Sequence, residues 1–346
     1  MPPIRVFGTL NNLPVAIVAP ILWLSALHLA VVGADFFSPY DPTEQRRSFP
    51  FAPPARIHVI DPDGRFSLPP FVCRMVPDSQ GSHVYKEDCG QRFPLRLFVA
   101  GVPYRLGFFT SYLHLFGVEQ PGEIHLMGTD DFGRDQFSRF LHGGRVSLLG
   151  GVVACGLSIF ISIVIGTIAG FYGGWIDTFL MWAADLFLAL PWLYLLFAVR
   201  AFLPLDMKPS VAFLAIIAII GVVGWPRTAR LIRGIVLAGR EHEYVLAARG
   251  FGASDIYLVT KHVIPQTRRL VATQASLLIP RYILAEITLS FLGLGVNEPG
   301  VSWGLMLSTL HQYHVLISYY WMFLPAIALV PTFYSYFAIS ELLRDE

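Results

Sequence analysis

The chain has 346 residues, 54% of them hydrophobic and 14% charged, with a mean hydropathy of +0.56. A soluble domain averages about 45–50% apolar and about 25% charged residues, so the bulk composition points to a bilayer. A formal net charge of +1 argues against a nucleic-acid partner, because phosphate binding needs a basic excess. Three cysteines, Cys73, Cys89 and Cys155, are too few and too scattered for a zinc cluster or a redox motif.

A spanning helix needs about 20 mostly apolar residues. Six stretches qualify: 13–33, 148–171, 178–203, 211–231, 270–296 and 317–342. Spans this apolar must be helical, since lipid offers no partner for backbone amides. The first exceeds the apolar core of about 7–15 residues found in a signal peptide. It ends in the small residues Val32-Gly33-Ala34, which cleavage could use, and an uncleaved anchor is the expectation.

Basic residues in short loops set the orientation. The segment after the fourth span carries Arg227, Arg230, Arg233, Arg240, Arg249, Lys261, Arg268 and Arg269, whereas 297–316 carries no Lys or Arg. The former is therefore expected in the cytoplasm. Counting back puts the N-terminus there too, in agreement with Arg5 and Arg344. Three units follow: 1–33, tail and first helix; 34–142, an extracytoplasmic insertion; and 143–346, a five-helix core with a cytoplasmic loop at 240–265.

In the insertion, Asp61-Pro-Asp-Gly64 separates Arg56-Ile-His-Val-Ile60 from Arg65-Phe-Ser-Leu68, which predicts a β-hairpin. Cys73 and Cys89 both fall outside the cytoplasm, where a bridge is expected and two free thiols are the alternative. Cys155 lies within a span and reads as a small packing residue. Next comes Gly128-Thr-Asp-Asp-Phe-Gly-Arg-Asp135. Thr129 or Asp130 suits the cap of an amphipathic helix on the outer membrane surface, with Asp135 and Arg139 as i, i+4 partners. The acidic cluster lacks the calcium-loop spacing. In the second span, Gly166 and Gly170 form a small-xxx-small pair that favours close helix packing.

The informative cytoplasmic segment runs from Arg240 to Pro265 and reads as two short helices with a break. Glu241 and Glu243 favour the start of the first, Gly252 supplies a left-handed stop, Ser254 caps the second and Pro265 closes it. Ala247 and Ala248 leave a shallow face beside Tyr244, Val245 and Phe251. Such a knob suits docking into a partner's groove; an interfacial helix held by arginines is the alternative, and the residues alone leave both open.

Ala247-Ala248, Gly252 and Ile264-Pro265 resemble the cytoplasmic loop motif of binding-protein-dependent ABC importer permeases. Further matches recur in that family's order: Gly128-Thr-Asp-x-x-Gly-Arg-Asp135, Gly144-Arg145-x-Ser147, Gly170-x-Tyr172-Gly-Gly-Trp175-x-Asp177, Leu289-Ser-Phe-Leu-Gly-Leu-Gly295 and Ser302-Trp-Gly304. They cover residue 128 to the C-terminus and are similar to the C-type subunit of the dipeptide/oligopeptide/nickel group. The resemblance implies an all-α polytopic fold of six transmembrane helices (a type I ABC importer permease) with a small β-containing external insertion. It implies a multi-pass protein of the bacterial inner membrane, both termini cytoplasmic, importing peptides or similar small solutes. The implied partners are a homologous second permease subunit, two ATP-binding subunits that hold ATP and Mg, an extracytoplasmic solute-binding protein and membrane lipid. On this reading Tyr244, Val245, Ala247, Ala248, Arg249, Phe251, Gly252, Ala253, Asp255 and Pro265 dock the ATPase. Two departures stand out: Leu246 replaces the family's usual acid, and Trp182 stands where a basic residue often precedes Asp185.

The chain has no Gly-Lys-Ser/Thr phosphate loop, so no cofactor is expected on it and ATP hydrolysis is assigned to a separate subunit. The ten histidines lack zinc spacing, and neither His311 with His314 nor any other group predicts a metal site. No nucleophile–base pairing marks a membrane enzyme. Asp185 and Glu286 lie within spans, and Arg281 lies near the middle of the fifth; the two acids either line the translocation path or make interhelical hydrogen bonds. A stand-alone secondary transporter or channel is the rival. It predicts broken helices in paired repeats, and no convincing pair is legible.

Overall fold

The computed structural model describes residues 15–61, 65–78, 84–106, 109–204 and 207–345. Arg5 and the turn residues Pro62, Asp63 and Gly64 lie outside them. The chain opens with α1 (Val15–Val32) and α2 (Ala34–Phe37). A four-stranded antiparallel meander follows: β1 (His58–Ile60), β2 (Phe66–Pro77), β3 (Tyr85–Leu106) and β4 (Phe109–Val118), in the order β1-β2-β3-β4. The hairpin expected at Asp61 is the β1–β2 pair, with His58 opposite Phe71 and Ile60 opposite Phe66. The 22-residue β3, which pairs with β2 along its first half and β4 along its second, was not legible because its polar and apolar residues do not alternate cleanly.

The helical core begins with α3 (Gln136–Gly144), which passes through a π turn at Arg145–Leu149 into α4 (Gly150–Tyr172). Here the expectation of a surface helix is corrected. Gln136, Ser138, Arg139, Phe140 and Leu141 are buried, and Gln136–Tyr172 is one segment of 37 residues. The cap is Asp135, whose carboxylate accepts from the Ser138 amide at 2.8 Å, not Thr129 or Asp130. Arg139 turns to Asp130 and Glu298 and not to Asp135.

Two of the expected spans are broken. α5 (Gly174–Ala189) and α6 (Trp192–Ala201) meet at 91°, and α7 (Pro209–Gly224) and α8 (Pro226–Arg240) at 43°. Pro191 and Pro226 stand at the breaks, where each ring removes an amide donor and crowds the preceding turn. The sequence made no convincing pair of broken helices legible, and the structure contains these two. After α9 (Glu243–Gly250) and α10 (Asp255–Leu258), the chain continues through π and 3-10 turns into α11 (Arg268–Phe291). It ends with α12 (Trp303–Ser308), α13 (Tyr313–Ser318) and α14 (Leu324–Asp345). Among the described residues, three segments are long and apolar enough to cross a bilayer unbroken, or up to five if each bent pair counts once. The first expected span, 13–33, corresponds to α1, with 18 residues described.

Trp303 fixes one half of the helical core. Wholly buried, it stacks on Phe140 with centroids 5.1 Å apart, and its indole N–H donates to the Phe140 carbonyl at 2.8 Å. Around it pack α1, α3, α11 and α14. Toward the other end of α4 the decisive contact is with α8. A Cβ on Gly170 would stand 2.8 Å from the Arg233 carbonyl oxygen and 2.9 Å from Val236 Cβ. The small-xxx-small pair thus meets a neighbouring backbone that admits no side chain.

Gly170→Val should cost about 1–3 kcal/mol by overpacking this contact and lower the melting temperature of the detergent-solubilised protein. An unchanged melting temperature would show that α4 and α8 are free to separate.

Candidate functional site

The 240–265 segment is built on a small apolar cluster. Val245, Leu258 and Val263 are fully buried against Phe171, Ile232 and Val236, so α4 and α8 form the base on which α9 and α10 sit. Gly252 adopts φ +86°, the left-handed conformation that favours glycine, and ends α9. Ser254 caps α10 by accepting from the Tyr257 amide at 3.4 Å. Arg249 lies 3.8 Å from Asp255 across the turn and rests over the Phe171 ring. Tyr244 Oη accepts from Gln266 Nε2 at 2.7 Å.

Phe251, with 93% of its surface exposed, and Ile256, with 76%, project away from this base together with Tyr244, Leu246 and Tyr257. Ala247 is exposed between them, while Ala248 and Ala253 lean into the cluster. Two expectations need correction. Val245 belongs to the base, because its side of the short helix faces α4 and α8. Pro265 does not close a helix: it sits in the first turn of the 3-10 segment Ile264–Thr267, where a missing amide costs nothing, and Asp255–Phe291 runs on as one unit of 37 residues.

The two span carboxylates are not brought together. Asp185 on α5 is exposed and forms an ion pair with Arg230 of α8. Glu286 on α11 is 2% exposed and accepts from Ser290 Oγ at 2.7 Å; its second oxygen has no hydrogen-bond partner among the described residues. Cys73 and Cys89 are bridged across β2 and β3, with Cα atoms 4.6 Å apart.

Residues 162–344 match the family described as the binding-protein-dependent transport system inner membrane component. The chain belongs to that family. It is 35% identical over 226 residues to the dipeptide transport system permease protein DppC of Bacillus subtilis (strain 168), covering 65% of this chain and 68% of the relative. It is 35% identical over 254 residues to a putative peptide permease protein of Brucella suis biovar 1, covering 73% and 82%. A chain of the inward-facing MetNI methionine ABC transporter aligns at 17% identity and a TM-score of 0.46, over 60% of this chain and 95% of that one.

In this permease several positioning residues escaped the sequence reading. Arg233 of α8 grips Asp177 of α5 through two nitrogens, and Arg240 Nη1 donates to the Gly170 and Phe171 carbonyls at 3.0 and 3.1 Å. Arg200 is wholly buried; its Nε donates to the Leu294 carbonyl and Nη1 to those of Leu203 and Pro204, tying the end of α6 to the segment after α11. Their partners lie 3 to 94 residues away, and no local spacing announces the long-range ones.

Outside the spans, Arg134 joins Asp130 at 2.7 Å and Glu298 at 2.8 Å, linking the 128–135 motif to the loop before α12. His142 and Arg145 hold the Asp35 carboxyl well below the usual carboxylate range, fastening α2 to the start of the core. His125 is buried beside the same motif. Burial alone would favour the neutral ring. Asp135, at 3.0 Å from Nδ1, and Glu123, at 3.6 Å from Nε2, outweigh it and raise the pKa above the ordinary histidine value.

A raised native pKa means that His125 contributes stability fully below its unfolded value of about 6.5 and loses it as pH rises through the native value. The melting temperature of wild-type protein should therefore fall relative to His125→Gln as pH increases through and above neutrality. Parallel pH profiles for the two proteins would show that His125 stays neutral.

Proposed function

We propose that this chain is the C-type membrane subunit of an ATP-driven importer for peptides or similar small solutes. The observation that carries the reading is the Phe251–Ile256 knob: large apolar side chains held in water on a buried apolar base. An exposed contiguous apolar patch marks a docking surface. In this reading the patch inserts into a groove on an ATP-binding subunit, which holds ATP and Mg. A homologous second permease completes the membrane path, and an extracytoplasmic solute-binding protein delivers solute to the side bearing the β-sheet. Both termini and the knob face the cytoplasm, as the arginine distribution requires.

Peptides are the favoured solute class because the relatives named above are permeases of dipeptide and peptide systems. Closure of the ATPases would move α9 and α10; since these sit on α4 and α8 and run on into α11, the movement would pass to the spans as rigid units. This is a two-state element biased by nucleotide. The broken pairs α5–α6 and α7–α8 would also serve a stand-alone transporter. Purification of the tagged chain with an ATPase separates the two readings, and repeated recovery of an active transporter without one would favour the rival.

Gly252→Pro forces φ to about −65° where the turn needs +86°. It should abolish uptake by the reconstituted complex while membrane insertion and ATP hydrolysis persist; unchanged uptake would refute the docking assignment. Phe251→Asp places a carboxylate in the apolar contact and should reduce recovery of the ATPase with the tagged chain about tenfold or more. Equal recovery would show that the knob lies outside the contact.

A further inference from the structure

Halfway along α11, Arg281 follows Pro280 and lies over the Trp192 ring, 4.3 Å from the centroid. Arg227, the second residue of α8, lines the same recess, a cavity of about 40 Å³ bordered by Phe187, Trp192, Val223 and Gly224. The recess sits where two spans are interrupted, at Pro191 and Pro226, beside the stretch of α11 that carries Pro280 without a break. Trp192 begins α6 and Pro226 begins α8, so the N-terminal ends of both half-helices border it.

The other arginines of α8 all have carboxylate partners: Arg230 has Asp185, Arg233 has Asp177 and Arg240 has Glu241. Arg227 and Arg281 have none among the described residues. Two unpartnered cations facing one recess repel each other, and an anion between them would relieve that repulsion. The half-helix N-termini that border the recess add their positive ends to it. Planar guanidinium forks match a carboxylate bidentately. The volume admits a carboxylate head and little more. Phe187 and Trp192 offer apolar walls to the atoms next to it.

The geometry points to Arg281 and Arg227 as the site that receives the carboxylate of the transported solute, such as the C-terminus of a peptide, at the recess between α6, α8 and α11. This inference rests on the importer reading above and names the chemical group that the path recognises. The solute is handed from the outer face to the recess, held by the two forks, and released when the spans shift and part them.

The test compares uptake of radiolabelled tri-alanine and its C-terminal amide by the complete complex in proteoliposomes. Each variant is scored against wild type for the same probe, so that selection by the binding protein cancels. Arg281→Gln should lower uptake of subsaturating free acid about ten- to a hundredfold, the loss of charge-assisted hydrogen bonds, and change amide uptake less than twofold. Arg281→Lys keeps the charge without the fork and should show a smaller loss confined to the free acid; it also serves if the glutamine variant fails to assemble. A tripeptide ending in a diazirine-bearing leucine should cross-link to the start of α6 or the middle of α11 in wild type. Equal losses for both probes, no loss for either, or cross-links elsewhere would overturn the site while leaving the importer reading intact. Failure of wild type to import either probe would overturn both.

Discussion

Close approach of α4 and α8 is the constraint on which the half bearing the 240–265 segment depends. In lipid the hydrophobic effect does not drive two apolar helices together, so association rests on packing and on hydrogen bonds. Gly166 and Gly170 provide the packing by letting the α8 backbone come within contact of α4. Arg240 provides the hydrogen bonds, reaching back to the carbonyls of Gly170 and Phe171 at the end of α4, where the helix leaves its last acceptors unsatisfied. With the pair so fixed, Phe171, Ile232 and Val236 form one apolar floor, and Val245, Leu258 and Val263 can cover it. Exposure of Phe251 and Ile256 is then a consequence: the short helices have one buried face, and it is already used.

That arrangement explains what could be read from sequence. The small-xxx-small glycines, the Gly252 turn and the Ser254 cap are local signals, each set by residues a few positions apart. The role of Val245 depends on which side of α9 meets α4 and α8, which is a tertiary fact. Asp135 illustrates the same limit. Four residues before Arg139, it looked like a helix ion pair, yet the capping amide of Ser138 and the ring of His125 claim its carboxylate. Arg139 is left to find Asp130 and Glu298, the latter 159 residues away.

The prolines mark the other boundary of legibility. A hydropathy window sees 178–203 and 211–231 as continuous apolar stretches, since proline scarcely alters their mean. The backbone responds differently. Pro191 and Pro226 break their spans, while Pro280 and Pro331 are carried inside continuous helices. The tolerated prolines occur inside helices that continue for several turns on both sides, so the surrounding hydrogen bonds hold the helix course. At Pro191 the chain instead turns by 91°, with Leu190 in extended conformation, and α6 starts afresh.

These two features meet in α8. Its first turn borders the recess with Pro226 and Arg227, and its last turn reaches α4 through Arg240 beneath the knob. Between them Arg230 and Arg233 hold the two acids of α5. A helix of 15 residues spans about 22 Å at 1.5 Å per residue. α8 therefore joins the 240–265 segment to the recess as one stiff rod, and α11, continuous with α10, supplies a second connection to the same place through Arg281. A displacement applied at α9 and α10 cannot be absorbed in a loop before it reaches the recess, because no loop intervenes on the α11 side. The cationic pair sits on two different rods, so relative movement of α8 and α11 would change the separation of Arg227 and Arg281, and with it the hold on a carboxylate at the site proposed above.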